Sequence, residues 1–158
     1  MNHRKQLTVL VILLVLYALS AFITYAFFLD QMAATVGIPM PEMPFSNAML
    51  GLANAGIILV VYGLLGLAGY WFAIKLRLPG IFSEDGNWRR WLLIPLLLGL
   101  ASGVFVILLD ILFAPINGFG HIVHPQFPVS IFASISAGIG EEIIFRSFVF
   151  GLWAFILN

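Results

Sequence analysis

This amino-acid sequence reads as an all-α, polytopic membrane protein of about four transmembrane helices, with N-terminus and C-terminus cytoplasmic. Three observations carry that reading. Of its 158 residues, 62% are apolar and only 9% charged, whereas a soluble domain carries about a quarter charged residues and under half apolar ones. The apolar residues gather in long unbroken runs, such as LTVLVILLVLYALSAF from Leu7, not in the short alternating segments of a closed barrel. Lys and Arg recur in every second loop, which is the pattern that orients membrane helices.

A bilayer core about 30 Å thick takes roughly 20 helical residues at about 1.5 Å each. The first stretch, about 7–29, follows Arg4 and Lys5. A cleavable signal is the competing reading, with small residues at Ala18 and Ser20. The run continues well past them to Phe28 and Leu29, however, so a retained helix is expected. The second stretch, about 45–74, follows the proline-rich GIPMPEMP segment and is closed by Lys75 and Arg77. In the loop after it, Pro79-Gly80 turns the chain, Ser83-Glu84-Asp85 offers a helix cap, and Trp88-Arg89-Arg90-Trp91 offers an interfacial anchor. The third stretch runs about 91–109 and is expected to stop at Asp110. The fourth, about 128–157, alone carries charges in its middle. The loops 30–44 and 110–128 hold no Lys or Arg and are expected outside. Without repeat or linker, residues 1–158 read as a single domain of the cell membrane, multi-pass.

Composition also excludes chemistry. Net charge is zero with seven basic residues, so there is no footprint for nucleic acid. Cysteine is absent, which removes disulfides, thiolate metal sites and thiol nucleophiles. Small residues mark expected helix contacts: Gly63, Gly66 and Gly69 in the second helix, Gly99 and Gly103 in the third, Ser130, Ser134 and Gly138 in the fourth.

The charges of the fourth helix lie in GEEIIFRSF. Each ionisable group at membrane depth costs on the order of 2.5–3.5 kcal/mol on insertion scales. Glu141 lies roughly 18 Å of helical rise beyond Val129, well inside the hydrocarbon. Glu142 and Arg146 are spaced i, i+4 with the acid first, so they share a face and are expected to pair, buried and structural. Glu141 points about 100° away and is left available as a base toward water. A proton or ion carrier explains a lone acid equally well; the adjacent pair with a fixed Arg favours a hydrolytic site.

The string Glu141-Glu142-Ile143-Ile144-Phe145-Arg146, with Ser136-Ala137-Gly138-Ile139-Gly140 before it and Ser147-Phe148-Val149-Phe150-Gly151-Leu152 after it, resembles the EExxxR motif of the CPBP family. These are the CAAX-protease and bacteriocin-processing (Abi) intramembrane endopeptidases. The resemblance covers about residues 130–158. It implies peptide-bond hydrolysis in membrane-associated, prenylated or bacteriocin-type substrates. Glu141 would activate water with a His, and Glu142 and Arg146 would support it. It also implies a divalent metal such as zinc, whose ligands lie on later helices of the family. The family's FxxxH motif and its later His motif have no counterpart in this sequence. The chain therefore reads as the N-terminal part of such a protease, inactive by itself. The alternatives are a non-catalytic membrane immunity or scaffold protein and, more weakly, a proton-coupled carrier. Expected partners are membrane lipid, a peptide or protein substrate, and a second copy of the chain in a homo-oligomer that would help enclose the site.

His121 and His124 stand three apart in HIVHP, a metal-ligand spacing only if helical. Gly118, Gly120 and Pro125 argue against a helix, so both are expected in solvent without an acidic partner. Asp110 is expected to reach water at the outer end of the third helix.

Overall fold

The computed structural model describes residues 3–37, 44–80, 86–87 and 89–158, apart from the side chains of Val36 and Trp91. The GIPMPEMP segment beyond Gly37, the Ser83-Glu84-Asp85 cap and the Trp88 anchor lie outside the described residues. The regular structure among the described residues is entirely helical. The chain forms two compact units, Met1–Phe82 with Pro125–Asn158, and Ser83–His124. Each is described by itself.

The first unit packs three helices. Helix α1 spans His3–Val36, longer at both ends than the expected 7–29. Nothing from Asp30 to Thr35 breaks a helix, and the stop comes only at Gly37, which takes a left-handed φ of 69° and donates its N–H to Ala34. Glycine closes helices this way because it lacks a Cβ. Helix α2, Asn47–Lys75, begins where the Ser46 hydroxyl accepts the Met49 N–H at 3.3 Å, an N-cap. It widens into a π-helical turn at Ile58–Tyr62. The third helix of this unit runs 129–157, with a longer π-helical stretch at Glu142–Val149.

Helix α1 lies against α2 and against residues 129–141, while the second half of α2 lies against Glu142–Val149 and Phe150–Leu157. Leu10, Leu14 and Ile143 form one buried cluster, with Tyr62, Leu65 and Ile139 around it. Ala18, Ala21 and Ile58 form a second. Tyr17 meets Tyr62 edge-on at 4.8 Å. Buried Ser20 donates to the Phe132 carbonyl at 2.9 Å and accepts from Ser136 at 3.2 Å. Thr24 donates back to the Ser20 carbonyl. These polar residues join helices by hydrogen bonds where apolar burial gives little drive.

Gly69 sets the closest approach. A Cβ there would stand 2.6 Å from the Ser147 backbone, so the two helices touch backbone to backbone. Gly66 likewise faces Leu10, and Gly63, Gly66 and Gly69 are all buried, as packing required. The expected stripe on the last helix is corrected. Ser134 and Gly138 are exposed, and the packed face instead carries Val129, Phe132, Ser136, Gly140 and Ile143. Gly140 admits Tyr17, whose hydroxyl oxygen would stand 3.0 Å from a Cβ there.

The second unit holds helix α3, Ile94–Phe113, preceded by a π-helical turn at Arg89–Leu93. The helix runs straight through Asp110 and ends at Phe113, two residues before Pro115, which corrects the expected end at 109. Asp110 does not interrupt it because its carboxylate is satisfied by the loop that follows. Gly99 and Gly103 have open space where a Cβ would sit. We number the helix 129–157 as α4.

Among the described residues three helices, α1, α2 and α3, are long and apolar enough to cross a membrane. Helix α4 has the length but carries Glu141, Glu142 and Arg146.

Candidate functional site

The π-helical stretch of α4, Glu142–Val149, overlaps the EExxxR string from its second Glu onward. A π turn widens the helix locally and is frequent at functional positions. Here it holds Glu142 and Arg146 on one side, and Arg146 Nη1 donates to Glu142 Oε2 at 3.1 Å. The pair is not buried as expected: the side chains are 78% and 61% exposed for Arg146 and Glu142. The reason is steric. Ile143 takes the inward position between α1 and α2, and the charged residues beside it are turned to the rim.

That rim borders a cavity of about 290 Å³ lined by α1, α2, α4 and the Leu78–Gly80 turn. Leu10, Leu13, Ile139 and Ile143 give it apolar walls, and Glu142, Arg146 and Ser147 give it polar ones. Tyr70, also on the wall, shares a 2.8 Å hydrogen bond with His3 Nδ1. Glu141 is exposed and does not line the cavity. The structure thus separates the two adjacent acids, one on the cavity beside its counter-ion and one facing outward from the bundle.

Among the described residues, no group of three or more His, Asp or Glu is placed to hold a metal ion. The adjacent acids diverge, and the resemblance places the ligands of its divalent metal on later helices of the family.

A second polar cluster lies wholly in the other unit. His121 Nδ1 and Asp110 Oδ2 are 2.8 Å apart, and Asp110 Oδ1 accepts the Ile122 N–H at 2.8 Å. Asn117 Oδ1 accepts from the Phe119 and Gly120 amides at 2.7 and 3.0 Å. Gly118 and Gly120 both adopt left-handed φ, at 73° and 79°. The side chain of Asp110 is only 13% exposed and that of His121 is 68% exposed. Two expectations are corrected here: His121 does have an acidic partner, and Asp110 is engaged by the loop. The signal was the Asn117-Gly118 turn, which folds the chain back onto the helix end.

Comparisons with protein-family models, curated proteins and solved structures found no match.

Proposed function

We propose that this chain is a four-span protein of the cell membrane, both termini cytoplasmic, whose last helix carries a hydrolytic site like that of the CPBP intramembrane endopeptidases. The observation that supports it is the division of labour between adjacent acids. Glu142 is engaged by Arg146, while Glu141 carries no such counter-ion one turn along. A carboxylate so placed is the natural base toward water. The matching family histidine is absent from residues 1–158. Glu141 therefore activates water only with an imidazole supplied from elsewhere, and these residues alone are expected to bind peptide without cleaving it.

The test is profiling of membrane-protein and secreted-peptide termini in cells carrying Glu141→Gln at the native locus. Loss of a discrete set of termini, with the protein still present in the membrane, supports hydrolysis. An unchanged set of termini overturns it. A second reading is favoured by one specific observation: the carboxylate on the cavity is Glu142, not Glu141. Under that reading the protein is a non-catalytic immunity or scaffold factor, and its phenotype depends on Glu142 and Arg146 but not on Glu141.

A further inference from the structure

We propose that the cavity between α1, α2 and α4 holds the head group of one ethanolamine-type phospholipid, its ammonium on Glu142 and its phosphate on Arg146. The proposal rests on the membrane placement of the preceding reading but not on its hydrolytic step.

The first support is charge. The Glu142–Arg146 contact uses one carboxylate oxygen and one guanidinium nitrogen. A carboxylate accepts up to about four hydrogen bonds and a guanidinium donates five, so both groups keep unused capacity toward the cavity they line. A site that presents both signs together complements a zwitterion better than an anion or a cation alone. Both side chains are also largely exposed, and exposed charge is not left against hydrocarbon. Water or lipid head groups must meet it.

Depth is the second support. Ser147 touches Gly69, which lies six residues, or about 9 Å of rise, before Lys75. Lys75 in turn sits over the rings of Trp71 at 5.1 Å and Phe155 at 5.6 Å. Aromatic residues with a cation mark the head-group level of a membrane helix. Arg146, next to Ser147, is therefore within reach of that level. From there the cavity extends toward Gly138 and Ile139, two turns further into the bilayer. Its deeper wall, with Gly138 and Ile139, is apolar, as an acyl chain requires, while Glu142 and Arg146 lie nearer the interface.

Size is the third. About 290 Å³ is at the lower edge of small-molecule pockets, about 300–1,000 Å³. It suits a head group and the first carbons of one chain, the rest remaining in the bilayer. Choline would bring no N–H donor to Glu142, glycerol no cation, and serine an added carboxylate beside Glu142, so ethanolamine is the head group selected.

The experiment is native mass spectrometry of the detergent-purified protein titrated with phosphatidylethanolamine, phosphatidylcholine or phosphatidylglycerol of identical chains. One bound phosphatidylethanolamine per chain is expected, held about tenfold more tightly than either other lipid, the effect of one charge-assisted hydrogen bond. Free phosphoethanolamine is expected not to displace it. Glu142→Gln should erase the preference over phosphatidylglycerol. Gly138→Leu should weaken all three, since its Cβ meets nothing within 4 Å and the added chain can fill the cavity without breaking the pair. Glu141→Gln should keep the lipid, so a failed hydrolysis test and a failed lipid test remain distinguishable. Equal binding of the three lipids, displacement by free phosphoethanolamine, a preference over phosphatidylglycerol that survives Glu142→Gln, or lipid affinity unchanged by Gly138→Leu would overturn the proposal.

Discussion

The Glu142–Arg146 pair and the Asp110–His121 pair join an acid to a base at similar distances, 3.1 and 2.8 Å, yet they are built in opposite ways. The first is local: helical spacing alone brings residues four apart onto one side, and nothing else encloses them. The second joins residues eleven apart through a loop, and its acid is nearly enclosed, held by a backbone amide as well as by the imidazole. Spacing on a helix creates a contact without burying it. A loop that folds back does both. The enclosed pair is thus the structural one, and the open pair is free to meet a ligand.

That contrast can be tested by substitution. The largest effect is expected where the frame of the open pair is attacked rather than the pair itself. Gly69→Leu places a side chain where even a Cβ would lie 2.6 Å from the Ser147 backbone. Backbone cannot rotate away, so a loss of about 3 kcal/mol or more is expected, at the upper end for overpacking. Thermal unfolding in detergent and membrane abundance measure it. Asp110→Ala removes the acceptor from His121 and from the Ile122 amide and should loosen the loop 114–124 from the helix end. Faster hydrogen exchange at Ile122 and easier proteolysis of 114–124 are the readouts.

Arg146→Ala should cost only about 0–1 kcal/mol of stability, the range for an exposed pair. Had the pair been buried as the sequence suggested, the cost would be about 3–5 kcal/mol. A loss that large would mean that a partner encloses the rim. The smallest effect is expected for Gly99→Ala, whose Cβ would enter open space. Stability should move by no more than about 0.5 kcal/mol, and a larger loss would show a helix seated against that face.

Much of this was legible from residues because it is periodic. The long apolar runs are helical among the described residues, and the Glu142–Arg146 contact follows from i, i+4 spacing. Gly69 could be flagged as small but not paired, since its partner Ser147 is far along the chain and only packing brings them together. The exposure of the pair is not legible because the sequence shows that Ile143 is apolar, not that it occupies the inward position and turns its neighbours outward. Asp110 looks like a helix end because a charge in an apolar run resembles a boundary. Its satisfaction depends on two left-handed glycines whose effect is geometric. The π-helical turns, too, have no signature in residue type or spacing.

The account rests above all on α4 crossing the membrane, since only then do Glu141, Glu142 and Arg146 lie at bilayer depth with a lipid-facing rim. The direct measurement uses paired reporter fusions after Gln126 and after Asn158, reading alkaline phosphatase activity and fluorescent-protein folding on either side of the membrane. The account predicts an external signal at Gln126 and a cytoplasmic one at Asn158. Fusions that report from the same side would contradict it, because helix 129–157 would then lie along or outside the membrane rather than through it.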